Sequence, residues 1–230
     1  MITTVFLDLD ETIFDFKKAQ YAALKRAFVH YGIEPTDALL KRYDEYNDHV
    51  WRLLEEQKAT REEILTLRFQ LLFEEFDIDS DPEAVQELYE SELGVGHFYL
   101  PGAEDFLQNL YGKYRLYLVS NGTASVQESR IGSSDLAKYL DGIFVSEAVG
   151  ADKPSLEFFE RCFAKIPPFS KEEAVIIGDS LTSDIRGGIN AGLHTIWFNH
   201  RDQKTREDIV PEFEAKTYAE ILSILERLAC

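Results

Sequence analysis

The chain of 230 residues lacks several features that would assign it to a particular class of protein. Its two cysteines, Cys162 and Cys230, are too few for a disulfide-stapled secreted domain, and we interpret both as free thiols in a reducing compartment. The five histidines are scattered, without the short spacings of a zinc site. No apolar run approaches the roughly 18 residues that cross a membrane, and no secretory signal is recognisable. We therefore expect a cytoplasmic protein.

Positive charge is also scarce, since 24 Lys and Arg residues stand against 42 Asp and Glu residues, a net charge of −18. This excess of negative charge argues against nucleic acid polymers and anionic membranes as partners. A small phosphorylated metabolite is still a compatible partner, because the local electrostatic field in a binding cleft can oppose the field of the whole protein. The hydrophobic content of 45% predicts a compact protein with a large core, and we expect a monomer or a weak dimer.

Short apolar runs rich in β-branched and aromatic residues predict about five buried strands of the parallel type. They cover residues 3–9, 115–120, 142–146, 174–178 and 194–198. Helical patterns alternate with them at residues 103–111, 124–131, 155–165 and 182–191. This alternation predicts an α/β fold, a Rossmann-like doubly wound parallel sheet. Ligands of such sheets bind beyond the carboxyl ends of the strands.

Residues 16–98 contain no convincing strand and carry four stretches with helical periodicity. These stretches cover residues 18–31, 36–55, 61–76 and 82–93. We predict a four-helix-bundle cap inserted into a core made of residues 1–15 and 99–230. Four aromatic residues lie in these helices: Tyr43, Tyr46, Trp51 and Phe69. An aromatic ring could stack on a nucleobase, but burial inside a bundle is the commoner fate of such residues.

Carboxylates lie at the carboxyl ends of two of the predicted strands: Asp8 and Asp10 at the first, and Asp179, with Asp184 five positions further on, at the fourth. A buried strand is not expected to end in acids unless a cation or a reactive group lies there. Because Mg²⁺ prefers oxygen ligands, we predict that Asp8, Asp179 and the backbone carbonyl of Asp10 bind it. Asp184 would bind the metal through water or orient Lys153.

The same residues suggest a phosphatase that works through an aspartyl-phosphate. Asp8 would attack phosphorus, and Asp10 would protonate the leaving group and then activate a water molecule. Ser120, Asn121 and the start of the following helix form a candidate phosphate cradle, with Lys153 placed on the same oxygens. Thr12 would add a hydroxyl donor. Each motif alone also fits an ordinary turn, a helix cap or a surface charge; their joint position at strand ends favours a site.

These motifs resemble, in this order, the four motifs of the haloacid dehalogenase superfamily. D-L-D-E-T at residues 8–12 is similar to the first, S-N-G at 120–122 to the second, K-P at 153–154 to the third and G-D-S-x-x-x-D at 178–184 to the fourth. The insert resembles the helical cap of the family. The resemblance implies that Asp8 is the nucleophile, that Asp10 is the acid and base, and that both bind Mg²⁺ with Asp179 while Asp184 supports it. Glu11 departs from the Gly or Asp of many members.

Asp10 favours a phosphatase over a dehalogenase, because a halide leaves without a proton. The stretch 187–199 is similar to bacterial pyrimidine-type 5′-nucleotidases, so nucleoside monophosphates are the expected substrates. A sugar-phosphate or phosphoglycolate phosphatase and a phosphosugar mutase on the same core are alternatives. A phospho-accepting receiver domain is a further one, although it needs neither Asp10 nor a long helical insert.

Overall fold

The computed structural model describes residues 1–56 and 58–228, so the expectation for Cys230 lies outside the described residues. The chain divides into two compact units. The first comprises Met1–Phe16 together with the chain from His97 onward, and the second comprises Lys17–Gly96.

The first unit is built on a six-stranded parallel sheet with the strand order β3-β2-β1-β4-β5-β6. The strands are β1 (Thr4–Leu7), β2 (Arg115–Ser120), β3 (Gly142–Val145), β4 (Ala174–Gly178), β5 (His194–Phe198) and β6 (Phe213–Ala215). The prediction of a doubly wound α/β sheet is confirmed. The sequence predicted five of these strands and missed β6, which is only three residues long and buries only its last residue fully.

The helices of the described residues lie before, between and after the strands. They are α1 (Phe16–His30), α2 (Asp37–Glu55), α3 (Arg61–Glu75), α4 (Pro82–Leu93), α5 (Ala103–Leu110), α6 (Ala124–Gly132), α7 (Ser146–Val149), α8 (Leu156–Phe163), α9 (Arg186–Ala191) and α10 (Tyr218–Leu228). Short 3₁₀ turns lie at Leu136–Tyr139 and Lys171–Glu173. The helix expected over 182–191 is divided into a π-type turn, Leu181–Ile185, and α9.

Both faces of the sheet are covered, which explains why its strands are continuous apolar runs. On one face, Val5 and Leu7 of β1 join a cluster with Leu107 of α5 and Ile221 of α10. On the other face, Phe6 joins a cluster with residues of α8. Every residue of β1 and β4 is buried, so the two central strands fix the frame from which the loops beyond their carboxyl ends project.

The second unit contains nearly all of α1 and the whole of α2, α3 and α4. Its interior is aromatic: the ring centroid of Phe69 lies 5.1 Å from that of Tyr43 and 5.6 Å from that of Tyr89. Tyr43 and Phe69 are completely buried in this bundle, which is the ordinary fate of aromatic residues at helical spacing. Helix α3 begins with a capping box in which Thr60 and Glu63 satisfy each other's backbone N–H groups.

Among residues 1–56 and 58–228, no helix combines the length and the apolar character that a membrane span requires.

Candidate active site

Three acids meet at the carboxyl ends of the two central strands. β1 and β4 are neighbours in the sheet, with Leu7 paired to Ile177, so the residues that follow them lie side by side. Carboxylate oxygens of Asp8, Asp179 and Asp184 lie within 4.8 Å of one another, and all three residues are buried. The structure thus brings together three of the predicted metal ligands, which are far apart in sequence. We refer to them as the acidic triad.

A buried lysine lies against this triad. The Nζ of Lys153 lies 2.7 Å from Asp8 Oδ1 and 2.7 Å from Asp184 Oδ1, and it also donates to the carbonyl of Val119 at 2.7 Å. The Lys153 residue is only 1% exposed. An ammonium group has three N–H donors, and here each has its own acceptor. Lys153 is therefore fixed in direction, and its charge is directed at the two acids.

Burial controls the proton affinity of this cluster. Burial raises the pKa of the Asp8 carboxyl, and Asp184 adds to the rise, while Lys153 opposes it. Burial also raises the pKa of Asp179 well above its ordinary value, against the opposing effect of Arg201. For Lys153, burial alone would lower the pKa, but the nearby Asp184 and Asp8 outweigh it and raise the pKa, so the lysine stays charged. Three carboxylates that share one buried place are the donor set that a hard divalent cation such as Mg²⁺ prefers.

The loop after β2 holds Lys153 in place through Asn121. The side-chain oxygen of Asn121 accepts from the backbone N–H of Lys153 at 2.9 Å, and its amide donates to the Lys153 carbonyl at 2.8 Å. Sequence reasoning expected Asn121 to bind phosphate itself. In the structure its side chain is bonded to the backbone of Lys153, and phosphate binding by Asn121 stays a prediction.

The spacing in G-D-S-x-x-x-D has a steric explanation. The backbone N–H of Ser180 donates to Asp184 Oδ2 at 3.0 Å, and Ser180 Oγ accepts from the N–H of Ser183, which closes the turn. A Cβ on Gly178 would lie 2.2 Å from the same oxygen of Asp184. Glycine is therefore required at the end of β4 so that the Asp184 carboxylate can fold back beneath the strand end.

The hydroxyl groups of Ser120 and Thr12 differ in their hydrogen-bond partners. Ser120 ends β2, is buried, and its Oγ accepts from the backbone N–H of Gly122 at 3.1 Å and from Gln127 Nε2 at 3.0 Å. The Thr12 hydroxyl is buried without a hydrogen-bond partner among the described residues, while the Thr12 carbonyl accepts from the Tyr218 hydroxyl at 2.8 Å. Among the described residues, no hydrogen bond joins the Thr12 hydroxyl to the acidic triad, and its role as a donor to phosphate stays a prediction.

The Asp10 carboxylate lies outside the acidic triad. Its Oδ1 accepts from Arg130 at 2.6 Å and its Oδ2 from Gln127 at 2.7 Å. Sequence reasoning missed both partners. The only sequence feature that could have indicated Gln127 and Arg130 is their spacing of three residues on the helix that follows S-N-G, which places them on one helix face. It also missed Arg201, which forms an ion pair with Asp179 and lies 3.4 Å from Glu11.

Glu11, the departure from the family pattern, adopts a left-handed backbone with φ 61°. Its N–H donates to the carbonyl of Phe14 at 2.8 Å, which closes a tight turn after Asp10. Such a φ favours glycine, the residue that many members of the superfamily carry here. The Glu11 side chain is buried beside Arg201 and His200. Burial, followed by the charge of Arg201, lowers the pKa of His200.

The architecture and the acidic triad agree with comparisons to known proteins. The family model for haloacid dehalogenase-like hydrolases matches residues 5–198. The chain therefore belongs to the haloacid dehalogenase-like hydrolase family and is an enzyme. This confirms the resemblance found in the four motifs.

Individual relatives cover nearly the whole chain. HAD-hydrolase YfnB of Bacillus subtilis is 38% identical over 96% of this chain and 94% of its own. Pyrimidine 5′-nucleotidase PynA of Streptococcus pneumoniae is 34% identical over 97% and 94%, respectively. Pyrimidine 5′-nucleotidase YjjG of Escherichia coli is 28% identical over 98% and 97%. A crystal structure of YfnB bound to magnesium superposes with a TM-score of 0.94 and covers 97% of this chain and 98% of that one.

Proposed function

We propose that this hydrolase is a Mg²⁺-dependent phosphomonoesterase that works through a phosphorylated Asp8. The observation that carries the proposal is the pair of carboxylates at the end of β1. Asp8 lies in the acidic triad beside Lys153, whereas Asp10, two residues further on, faces a different set of partners. These separate surroundings support a nucleophilic role for Asp8 and a proton-transfer role for Asp10, and a dehalogenase would not need the second role.

The three buried carboxylates of the triad support a magnesium ion as the bound cation. Asp8, Asp179 and Asp184 would hold it, together with the backbone carbonyl of Asp10. When bound, the ion supplies positive charge that offsets the repulsion between the Asp8 carboxylate and a phosphate dianion.

Side chains of this protein carry out the two half-reactions. An oxygen of Asp8 attacks phosphorus, and the bond to the ester oxygen breaks while Asp10 gives that oxygen its proton. Lys153 and the Ser120 hydroxyl stabilise the charge on the phosphoryl oxygens. Asp10 then takes a proton from water, whose oxygen attacks the same phosphorus. The bond between phosphorus and the Asp8 oxygen breaks, which restores the Asp8 carboxylate and releases inorganic phosphate.

We further propose pyrimidine nucleoside monophosphates as the substrates and the helical unit as a cap over the core. The names of PynA and YjjG, at 34% and 28% identity over almost the full chain, support the substrate class. The topology supports the cap, because the helices are inserted directly after the segment that carries Asp8 and Asp10. The cap boundaries at residues 16–98 and a cytoplasmic, monomeric or weakly dimeric protein belong to the same proposal.

The test is release of inorganic phosphate from a panel of esters, with Mg²⁺ and with a chelator. The panel compares pyrimidine and purine monophosphates, sugar phosphates and phosphoglycolate. We expect multiple turnovers, highest with pyrimidine monophosphates, and none with the chelator or with Asp8→Asn. Wild-type turnover by Asp8→Asn would refute covalent catalysis through Asp8. A single turnover would indicate a receiver domain, and an isomerised product without free phosphate would indicate a mutase.

A further inference from the structure

The Asp10 carboxylate is held on both of its oxygens by helix α6. Arg130 donates to Oδ1 at 2.6 Å and Gln127 donates to Oδ2 at 2.7 Å. Arg130 also donates to Gln127 Oε1 at 3.0 Å, so the guanidinium fixes which end of the Gln127 amide faces the carboxylate. The three side chains form one connected network, in which two hydrogen bonds, one to each oxygen, orient the Asp10 carboxylate.

Arg130, the cation of this network, is buried against aromatic rings. The Arg130 side chain is completely buried, and its guanidinium carbon lies 5.2 Å from the ring centre of Phe14 and 5.9 Å from that of Phe16. These rings follow Asp10 in the chain, so Arg130 packs on the segment whose carboxylate it binds. The Asp10 side chain is 26% exposed, which leaves one side of the carboxylate open. Each carboxylate oxygen has a second lone pair that can take a proton or meet a substrate.

Gln127 extends the network to the second motif. Its Nε2 donates to Ser120 Oγ at 3.0 Å as well as to Asp10, and it therefore lies between the proposed phosphate ligand and the proposed acid. A Cβ on Gly122 would lie 2.2 Å from this Nε2. The glycine of S-N-G is therefore required here to give room to the Gln127 amide, in addition to any role in the turn.

Stability does not explain the buried pair. Replacing a buried ion pair by apolar residues of similar volume is often neutral or stabilising, because the desolvation of both charges is costly. A buried arginine aimed at a partly open carboxylate, in a family of enzymes, is better explained by what it does for that carboxylate.

We propose that Arg130 and Gln127 are positioning residues that orient the Asp10 carboxylate towards the leaving-group oxygen. Gln127, which also donates to Ser120, links the orientation of Asp10 to the position of the Ser120 hydroxyl. The inference rests on the proposed function, in which Asp10 transfers protons. Neither residue touches the substrate in this account, and both act through Asp10.

This role predicts a dependence on the leaving group. The parameter kcat/KM reports the first half-reaction, in which Asp10 protonates the departing oxygen. An alkyl ester such as a nucleoside monophosphate needs that proton, whereas p-nitrophenolate leaves without it. General acid catalysis contributes about 10²- to 10⁴-fold, so misplacing Asp10 should lower kcat/KM for the alkyl ester by about 100-fold and for p-nitrophenyl phosphate by less than about threefold.

The experiment measures both esters with the full-length enzyme and Mg²⁺, using Asp10→Asn, Arg130→Met, Arg130→Lys and Gln127→Leu. We expect Asp10→Asn and Arg130→Met to show the same selective loss with the alkyl ester. Arg130→Lys, which keeps a cation, should recover part of it. The double variant Asp10→Asn/Arg130→Met should be no worse than Asp10→Asn alone, because both changes remove one function.

Arg68→Met is the matched control for losing a buried arginine. Arg68 lies in the helical unit, is 3% exposed and donates to Asn47 at 2.7 Å and Gln86 at 2.9 Å. Its loss should leave the ratio of the two kcat/KM values unchanged, whatever it does to the melting temperature. If Arg130→Met fails to fold, Gln127→Leu must carry the selective loss by itself.

The outcomes separate the two proposals. If the wild-type protein releases no phosphate, the proposed function falls and the inference with it. If Asp10→Asn shows the selective loss but Arg130→Met and Gln127→Leu lower both esters equally or not at all, only the inference is overturned.

Discussion

The buried lysine of the acidic triad gives the sharpest test of how the site is held together. Lys153→Met keeps a chain of similar length but removes the ammonium that lies 2.7 Å from Asp8 and from Asp184. Two buried carboxylates then lose a common cation. We expect the variant to fold with a lower free energy of unfolding in the absence of metal, and to show no phosphatase activity in the presence of Mg²⁺.

The size of the loss follows from the burial of the pair. Removing one partner of a buried salt bridge costs about 3–5 kcal/mol, against a total stability of about 5–15 kcal/mol for a typical domain. The loss also depends on pH. Burial raises the pKa of Asp8 and of Asp179 in the folded state. An acid whose pKa rises on folding destabilises the protein as pH climbs from the unfolded value, about 3.9, towards the folded one, because the unfolded chain releases the proton first. Lys153 opposes this rise for Asp8, so its removal raises the pKa of Asp8 further. The loss of stability relative to the wild type should therefore be largest near neutral pH, where the wild-type carboxylate ionises, and smaller near pH 5.

The assay is urea denaturation followed by circular dichroism, with a chelator, at about pH 7.5 and about pH 5. Lys138→Met is the control, since Lys138 pairs with Asp135 on the surface, and we expect no measurable change there. A deficit for Lys153→Met below about 1 kcal/mol at the higher pH, or one that is equal at both values, would refute the reasoning.

Three further predictions concern the same unit. Gly178→Ala places a Cβ 2.2 Å from an Asp184 oxygen and should abolish Mg²⁺ binding measured by calorimetry, whereas Gly132→Ala, with nothing within 4 Å of its Cβ, should leave binding unchanged. Mg²⁺ at about 100 times its Kd should stabilise the protein by about 2.7 kcal/mol, seen as a higher melting temperature, and Asp179→Asn should remove this effect; an equal rise in the variant would contradict the triad as the site. Burial raises the pKa of the Cys162 thiol to about 12, so with the terminal cysteine replaced by serine, a thiol reagent at pH 8 should react only after unfolding, and rapid labelling of the native protein would contradict the burial.

The central part of the fold could be predicted from the sequence because its signals are local. β1 and β4 are buried over their whole length and consist almost entirely of apolar residues, so their runs stand out in the sequence. The acids that follow them converge because parallel strands place their carboxyl ends at one edge of the sheet. β6 gave no such signal, since three residues at the edge of a sheet form no periodic pattern.

The arginine partners of the acids could not be predicted in this way, although Lys153 was. Arg130 and Arg201 carry no local signal, because a buried or half-buried arginine has the same sequence appearance as a solvated one. Arg130 meets Asp10 because α6 packs against the segment after β1, and this packing is a property of the folded chain. The left-handed backbone of Glu11 was likewise hidden, since the residue type argues against that conformation and only the family pattern suggested glycine.

The end of β1 explains how two carboxylates two residues apart serve two purposes. In a continuing strand, residues at i and i+2 point to the same face and would share one environment. Here the strand ends at Leu7, and the N–H groups of Thr12, Ile13 and Phe14 all donate to the carbonyl of Leu9. The chain therefore turns within a few residues and separates the two side chains. Asp8 meets the ammonium of Lys153, and Asp10 meets the guanidinium of Arg130. A tight turn, and not distance along the sequence, gives each acid its own cation and so allows the separate roles proposed for them.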